Sequence, residues 1–594
     1  MISLVKIDMK QIIYKGVAAS PGIAIGEVRL LDRRRISVQE QKINAAQVDE
    51  ESRIFLDAVE RSRDQLEAVQ QELVRQSKTE HFYIIDTQLL ILKDKMLIDS
   101  TTELIRSELI NAAGALKRVL RRFVAVFDQI EDEYLRERGS DVELVGERII
   151  RNIHGMEQAQ VGELERRSVI VAHDLSPADT CQLDAEHVVA FVTDLGGRTS
   201  HSAILARSMG IPAVVGLEKI TRQVADDTPV IVDGNSGVLV CNPDKKTLER
   251  YLELKRRYEF YKRQLRSYCE LPAETADGKI ISMQANIEFL PEADIALNNG
   301  AQGIGLLRTE FMYMARSTPP TEEEQFQSYK KAAELFTPYP VTIRTLDIGG
   351  DKFISDISLE DEANPAMGMR SIRLSLWEKK LFYIQLRAIL RASAFGNVRL
   401  MFPMISGLSE VRACKEIVTQ VMEELAAENI DFNRNIEIGI MMETPSAVFV
   451  ADILAAEVDF FSIGTNDLIQ YCLAVDRGNE HVADLYEPFH PAILRALKRI
   501  SDSANSAGID LSVCGEMAAE PMFSIVLVAL GYTHLSMSSQ GISRVKKLIR
   551  QWDTSHSEEL LNDLMEQKTA ADVLRVLKQR LAEYLPQADP DLDY

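Results

Sequence analysis

The second half of the chain alternates between short apolar runs and longer segments with helical periodicity. The apolar runs are almost continuously hydrophobic, as is typical of parallel strands buried on both faces. They occupy residues 281–287, 303–310, 341–347, 398–404, 436–444, 458–467, 509–516 and 534–539. Parallel strands need helical crossovers, so this repeat predicts a (β/α)8 TIM barrel over residues 271–594.

The first half has a different pattern. Residues 1–35 and 154–245 hold short apolar runs separated by Gly and Pro turns, which predict an α/β domain. Residues 36–153 are charged, nearly free of Gly and Pro, and periodic like helices, so we interpret them as a helical bundle inserted into that domain. An apolar stripe at residues 82–97 fits either the bundle core or a partner-binding face. Together, the patterns of the two halves predict an α/β, multidomain fold class.

Residues 246–270 form a basic segment with helical periodicity between the two halves. Taken alone, such a segment is typical of a helix that binds nucleic acid or a membrane surface. Because the whole chain is acidic, we interpret it as a solvated linker helix.

Composition and charge exclude several classes of function. The 594 residues carry a net charge of −22, which argues against nucleic-acid binding, since that needs a basic surface. No apolar run is long enough to insert into a membrane, and the N-terminus lacks a signal-peptide core. Six scattered cysteines without a CxxC pair fit a reducing compartment, so a cytoplasmic location is predicted.

One histidine stands at a predicted strand-to-helix junction. The segment GGRTSHSAILAR (196–207) follows an apolar run, and Thr199 and Ser200 are candidate N-caps of the next helix. His201 would then lie where free N–H groups and the helix dipole stabilise an anion. His201 is thus either a polar side chain whose hydrogen bonds are satisfied at a helix cap or a carrier of a phosphoryl group.

Charged side chains follow the predicted barrel strands, and the carboxyl ends of such strands share one face of the barrel. Arg308, Arg344 and Arg477 are the arginines of this group. Guanidinium groups bind phosphate or carboxylate through paired hydrogen bonds, so three of them on one face predict an anion site.

Other strand ends carry carboxylates and a thiol. Glu443 and Asp467 fit a Mg²⁺ site, because magnesium takes one or two protein carboxylates, although each also fits an ion pair with a nearby arginine. Cys514 fits either a small core residue or a proton donor.

The motif around His201 resembles the phosphohistidine motif of the phosphoenolpyruvate-utilising enzymes. That family includes Enzyme I of the sugar phosphotransferase system, phosphoenolpyruvate synthase and pyruvate phosphate dikinase. The Enzyme I pattern continues Thr-Ser after the histidine, whereas Ser202 and Ala203 follow here. The barrel segments GIGLLRTEFMYM, VTIRTLDIGGDK, ILRASAFG, ETPSA, FFSIGTNDLIQY, AVDRGN and CGEMA also resemble Enzyme I, in family order.

This resemblance implies a role for each candidate residue. His201 would carry the phosphoryl group, Cys514 would protonate the enolpyruvate leaving group, and Glu443 and Asp467 would hold Mg²⁺. The residues implied to bind phosphoenolpyruvate (PEP) are Arg308, Arg344, Arg370, Asn466, Asp467 and Arg477.

Within the family, KGVAASPGIAIG and YLRERGSDVELVG resemble Enzyme I, and no P-loop pattern precedes His201. The resemblance therefore implies that PEP phosphorylates His201, pyruvate is released, and the phosphoryl group passes to a histidine of the carrier protein HPr docked on the helical insert. It also implies a homodimer through the barrel. The alternatives are an enzyme like PEP synthase or pyruvate phosphate dikinase, or a non-catalytic regulatory relative.

Overall fold

The computed structural model describes two compact units, Met1–Phe260 and Tyr261–Tyr594. The described residues are 11–31, 40–75, 88–89, 91–92, 95–128, 142, 145–155, 167–175, 187–197, 202–203, 206, 210–288, 290, 292–313, 319–348, 364–476, 482–586 and 588. The predicted bounds of the domains inside the first unit stay predictions.

The first unit contains a mixed sheet that forms from the apolar runs predicted as strands. Its strands are β1 (Ile12–Lys15), β2 (Val17–Ser20), β3 (Ile23–Leu31), β4 (Ser168–Ala172), β5 (Val188–Thr193), β6 (Ala213–Val215), β7 (Pro229–Asp233) and β8 (Val238–Cys241). Among the described residues their order is β1-β8-β7-β3-β4-β5-β6-β2. Strands β3 to β6 pair in parallel, so β4 and β5 end at the same edge of the sheet.

Between β3 and β4 most of the described residues are helical, as predicted. The long helices described there are α1 (Val48–Arg75), α2 (Lys95–Glu108) and α3 (Ala112–Asp128). Leu89, Leu92 and Leu97, from the apolar stripe at 82–97, are buried in the core that these helices share. For these three leucines, the interpretation of the stripe as bundle core is confirmed; the remainder of the stripe lies partly outside the described residues.

The predicted linker is a continuous helix, α4 (Lys245–Ser267). It starts after Asp244, whose carboxylate accepts a hydrogen bond from the backbone N–H of Thr247 at 2.7 Å. Such an N-terminal cap satisfies a helix N–H that has no partner in the preceding turn.

In the second unit, every apolar run predicted as a strand is a strand. These are β9 (Ser282–Ile287), β10 (Ile304–Leu307), β11 (Val341–Arg344), β12 (Val398–Phe402), β13 (Glu437–Met442), β14 (Phe460–Ile463), β15 (Asp510–Val513) and β16 (His534–Met537). Neighbouring strands pair in parallel, and pairing of β16 with β9 closes the barrel among the described residues. The predicted TIM barrel is confirmed.

Helices surround the strands and cover their outer faces with one continuous apolar core. They are α5 (Glu292–Asn298), α6 (Glu322–Phe336), α7 (Ser371–Trp377), α8 (Lys379–Ala392), α9 (Leu408–Ala427), α10 (Pro445–Phe449), α11 (Ala451–Ala455), α12 (Thr465–Leu473), α13 (Pro491–Ala507), α14 (Pro521–Ala529), α15 (Ile542–Ile549), α16 (Ser557–Met565) and α17 (Ala570–Tyr584). Inside the barrel, a smaller apolar cluster is formed by Leu306, Met401, Met441, Phe460 and Cys514.

Within the described part of the chain, no helix combines the length and the apolar character that crossing a lipid bilayer requires.

Candidate active site

Apart from Arg370, which precedes α7, the predicted site residues that are described in the barrel lie at the carboxyl ends of its strands. Arg308 follows β10, Arg344 is the last residue of β11, and Glu443 directly follows β13. Asn466 and Asp467 lie in the first turn of α12, after β14, and Cys514 directly follows β15. Since all these strands run in parallel, the residues share one rim of the barrel.

Arg344 lies at the centre of a buried group of charges. One end of its guanidinium group, Nη2, lies 3.1 Å from Glu310 Oε1, and Nη1 lies 2.8 Å from Asp347 Oδ2. Its side chain is only 10% exposed, and its Nε is buried with no hydrogen-bond partner among the described residues. Burial alone would lower the pKa of Arg344, but the charges of Asp347 and Glu310 raise it, so the group stays cationic. Arg344 therefore keeps both a charge and a free donor for an anion.

Asp347 connects this arginine to a second one. Its Oδ1 lies 3.0 Å from Arg370 Nη2 and also accepts a hydrogen bond from Ser371 Oγ. Burial opposes ionisation, but the charges of Arg344 and Arg370 hold the pKa of Asp347 well below its ordinary value. Ser371 has φ +53°, a left-handed conformation that is costly for a residue other than glycine. The carboxylate of Asp347 thus fixes two guanidinium groups next to a strained turn.

Arg370 also contacts α12. Its Nη1 donates to Tyr471 Oη at 3.1 Å, and its Nη2 lies 3.7 Å from Asp467 Oδ2. Tyr471 in turn donates to the carbonyl oxygen of Ala366 at 2.6 Å. The structure therefore brings Arg370 to the same rim as Arg344 and Asp467.

Arg308 is more exposed than Arg344 and Arg370, with 39% of its side chain accessible. It forms an ion pair with Glu288, which directly follows β9. Its Nε is buried without a hydrogen-bond partner among the described residues. Like Arg344, it retains a donor that an anion at the rim would satisfy.

Glu443 and Asp467 have the chemistry of a site for a hard cation. Glu443 is 1% exposed, and its Oε1 accepts a hydrogen bond from the backbone N–H of Met404 at 2.5 Å. No described basic side chain lies within ion-pair distance of it. Burial raises the pKa of Glu443 well above its ordinary value, and the charges of Asp467 and Asp347 raise it further. A divalent cation would compensate these charges, so the two carboxylates fit Mg²⁺.

The space beside Glu443 is kept open by a glycine. A Cβ added at Gly464 would lie 2.5 Å from Glu443 Oε2 and 2.9 Å from Met441 Sδ. Any larger residue would therefore displace the carboxylate. Within the described residues no group of three or more His, Cys, Asp or Glu side chains is placed to hold a metal, so Mg²⁺ would draw further ligands from substrate and water.

Cys514 lies below the charged rim, in the apolar cluster inside the barrel. It is 3% exposed, and its Sγ lies 3.5 Å from the carbonyl oxygen of Ile463. Burial raises the pKa of the Cys514 thiol to about 11, so the thiol holds its proton at neutral pH. The residue therefore packs in the core, as one interpretation of the sequence predicts, and its role as a proton donor stays a prediction.

Asn466 is held by the neighbouring strand end. Its Oδ1 accepts a hydrogen bond from the backbone N–H of Glu516 at 3.4 Å, and its carbonyl oxygen accepts one from Tyr486 Oη at 3.4 Å. Arg477 and His201 lie outside the described residues, as do the candidate helix caps Thr199 and Ser200.

Described residues that follow β4 and β5 form a polar group at the edge of the first sheet. Asp194 follows β5 and is 3% exposed; its Oδ2 lies 2.9 Å from His173 Nδ1. The same carboxylate accepts hydrogen bonds from the backbone N–H and the hydroxyl of Thr221 at 3.0 and 2.5 Å. Ser202, the residue after His201, donates to Asp174 Oδ1 at 3.1 Å. The ends of β4 and β5 thus bring His173 and Asp194 together, and Asp174 beside them binds Ser202.

Sequence reasoning missed several of these partners. They are Asp174, His173, Asp194, Asn286, Glu288 and Tyr471. Most of them directly follow a strand, and a polar residue at that position is a sequence signal for the rim. Asn286 instead lies within β9, and it donates to the carbonyl oxygen of Cys514 at 2.8 Å. Tyr471 lies one helical turn after Asp467, so its contact with Arg370 had no signal in the sequence.

Comparisons with known proteins agree over nearly the whole chain. Three family models match: "PEP-utilising enzyme, PEP-binding domain" at residues 262–554, "PEP-utilising enzyme, N-terminal" at 15–138 and "PEP-utilising enzyme, mobile domain" at 164–237. The phosphoenolpyruvate-protein phosphotransferase of Haemophilus influenzae is 40% identical over 568 residues, which cover 96% of this chain and 99% of that protein. The protein of the same name from Bacillus sp. (strain S) is 40% identical over 564 residues, covering 95% of this chain and 97% of its own. The chain therefore belongs to the phosphoenolpyruvate-protein phosphotransferases, within the family of PEP-utilising enzymes.

Proposed function

We propose that the chain takes the phosphoryl group of PEP onto His201, releases pyruvate, and passes the group to a histidine of the carrier protein HPr. The observation that carries the proposal is the meeting of Arg308, Arg344 and Arg370 at one barrel rim, beside the carboxylates of Glu443 and Asp467. The names of the relatives and the matched PEP-binding domain support PEP as the phosphoryl donor.

The arginines are suited to a substrate with two anionic ends. PEP carries a phosphate and a carboxylate, and the buried Nε groups of Arg308 and Arg344 are donors without partners among the described residues. An anion that accepts from them relieves the cost of burying an unsatisfied donor. Arg370, Asn466 and Arg477 complete the proposed PEP site, with Asp467 facing both substrate and metal.

Glu443 and Asp467 would hold Mg²⁺, which supplies positive charge to the phosphate oxygens when it is bound. Glu443 is held in place by the backbone N–H of Met404. The other carboxylate oxygen, Oε2, lies against Gly464, where a Cβ would come within 2.5 Å of it.

The reaction needs one nucleophile and one acid. A ring nitrogen of His201 attacks phosphorus, an N–P bond forms, and the bond from phosphorus to the enol oxygen breaks with its electron pair going to that oxygen. Positioning and charge stabilisation contribute most to such transfers. The thiol of Cys514 then gives its proton to the terminal carbon of the enolate, which yields pyruvate, and water reprotonates the thiolate.

The second half reaction takes place away from the barrel. HPr would dock on the helices between β3 and β4, and the α/β domain that carries His201 would move between the barrel and the docked HPr. We also propose that the chain works in the cytoplasm as a homodimer through the barrel. The five described cysteines are free, in keeping with a reducing compartment.

The test uses PEP labelled in its phosphate, with Mg²⁺, on the parent, His201→Ala and the control His154→Ala, which changes an exposed histidine of the same unit. Label is expected on the parent and the control, passing to added HPr, and none on His201→Ala. Stable label on His201→Ala would refute the carrier assignment. Label that appears only with added nucleotide would favour an enzyme like PEP synthase, and no label on any folded variant would favour a regulatory relative.

A further inference from the structure

A glutamine lies on the buried face of helix α8. Phe382, Leu386 and Ile389 form the apolar stripe of that face, and Gln385 lies within the stripe. It is 1% exposed. A buried amide is costly unless its donors and acceptor are all hydrogen-bonded, so its partners explain what the amide does.

The amide of Gln385 contacts two loops of the barrel rim. Its Oε1 accepts a hydrogen bond from the backbone N–H of Leu346 at 3.0 Å, and its Nε2 donates to Thr309 Oγ1 at 3.1 Å. The second proton of Nε2 faces Tyr329 Oη at 3.4 Å. Since a backbone N–H only donates, the contact with Leu346 fixes which end of the amide is the oxygen.

Each of these loops adjoins an arginine of the proposed PEP site. Thr309 directly follows Arg308, and its hydroxyl donates to the carbonyl oxygen of Arg344 at 3.1 Å. Leu346 comes two residues after Arg344. One side chain therefore ties the loop after β10 to the loop after β11 through two hydrogen bonds, and a third anchors it to Tyr329 of α6.

We propose that Gln385 is a positioning residue that sets the separation of Arg308 and Arg344 for their shared anion. The inference rests on the proposed PEP site. Gln385 is buried below the rim and acts on the substrate only through the two loops. Two donors on separate loops bind one anion well only when the spacing between them is held, because a shift of about 1 Å lowers the quality of both contacts.

The test replaces the amide by a side chain of similar length without hydrogen bonds, Gln385→Met. The first-turnover release of pyruvate is measured over a range of PEP concentrations with Mg²⁺. The PEP concentration at half-maximal rate is expected to rise about tenfold, because the buried N–H of Leu346 and the hydroxyl of Thr309 lose their partner and the loops shift. The maximal rate is expected to change less than threefold, since the phosphoryl acceptor and the proton donor are untouched.

A matched control is Ser393→Ala, just after the same helix. Ser393 is 4% exposed, and its hydroxyl donates to Leu390 O at 2.6 Å and accepts from Asn433 N at 2.9 Å. It contacts neither rim loop, so its half-maximal PEP concentration should equal that of the parent. Equal values for Gln385→Met, Ser393→Ala and the parent would overturn the positioning role.

A second pair of variants decides the question if Gln385→Met does not fold. Thr309→Val removes the hydroxyl that links Gln385 to Arg344, and Thr309→Ser keeps it. The valine variant should raise the half-maximal PEP concentration and the serine variant should restore it; parental values in both would overturn the inference. Arg344→Gln, measured alongside, separates the two claims, because a parental value there refutes the PEP site itself.

Discussion

Replacing Cys514 by alanine removes the thiol that we propose as the acid for the enolate carbon. The thiol is 3% exposed and lies among Leu306, Met401 and other apolar side chains. Alanine keeps the backbone and deletes one sulfur atom, so the barrel should fold. Without a positioned acid, the enolate must take its proton from water, and pyruvate formation on the enzyme should slow by a factor of about 10² to 10⁴.

The same change has a stability signature that follows from burial. The pKa of the Cys514 thiol rises from 9.0 to about 11, because burial disfavours the thiolate. The folded protein therefore binds this proton more tightly than the unfolded chain. The contribution is fully present below pH 9 and is lost as pH rises through 11, by about 1.4 kcal/mol per pH unit and about 3 kcal/mol in total. Cys514→Ala should lack this loss.

The chain offers a direct probe of unfolding in the barrel unit. Its two tryptophans, Trp377 and Trp552, both belong to the second unit, so their fluorescence follows that unit in denaturant. Titrations at pH 8, 9 and 10 compare the parent with Cys514→Ala. The difference in unfolding free energy between the two proteins should move in favour of the variant as pH rises.

The chemical assay uses a PEP analogue with a methyl group on its terminal carbon, in D₂O. If one thiol delivers deuterium, the product carries it in a single configuration, and Cys514→Ala gives both configurations in equal amounts. Cys241→Ala is the control, since that thiol is also buried but lies in the first unit. A single configuration and a parental rate in Cys514→Ala would refute the role of the thiol.

Two further predictions concern the rim. Asp347→Asn should lower the unfolding free energy of the second unit by about 3 kcal/mol, because Arg344 and Arg370 lose a buried charged partner; the denaturant midpoint measures it. The arginine charges hold the pKa of the Asp347 carboxyl low. The parent should therefore lose the same contribution as pH falls below about 4. Gly464→Ala should weaken Mg²⁺ binding by about tenfold or more, measured as the Mg²⁺ dependence of phosphorylation, because the added Cβ would lie 2.5 Å from Glu443 Oε2.

Controls keep these two predictions specific. Gly407→Ala adds a methyl group where no atom lies within 4 Å, so its Mg²⁺ dependence should match the parent. A parental Mg²⁺ dependence in Gly464→Ala as well would contradict the assigned metal site. For Asp347→Asn, a parental midpoint would show that Glu310 alone satisfies Arg344.

The sequence was sufficient for the barrel because each strand leaves a local signal. In the run 436–444, the apolar stretch that ends at Glu443, before a helix that starts with a proline, marks both a strand and its carboxyl end. Strand ends of a closed parallel barrel share one rim whatever the details of packing. That geometric rule is enough to predict that Arg308, Arg344 and Glu443 share one rim.

The partners of these residues had no such signal. Gln385 appears within LFYIQLRAIL, where only three-dimensional packing decides that the amide is buried and points at two distant loops. Arg370 contacts Tyr471, which lies 101 positions away in the chain, and Asp194 contacts His173, which lies 21 positions away. Hydrogen-bond pairing across elements depends on register and rotamer, which hydrophobic periodicity does not encode.

The most direct test of the account is to map the phosphate after PEP and Mg²⁺ react with the parent chain. The account predicts one acid-labile, base-stable phosphate per chain, within the peptide Gly196–Arg207, with one pyruvate released for each phosphate bound. Phosphate on another peptide, or pyruvate released without any bound phosphate, would contradict it.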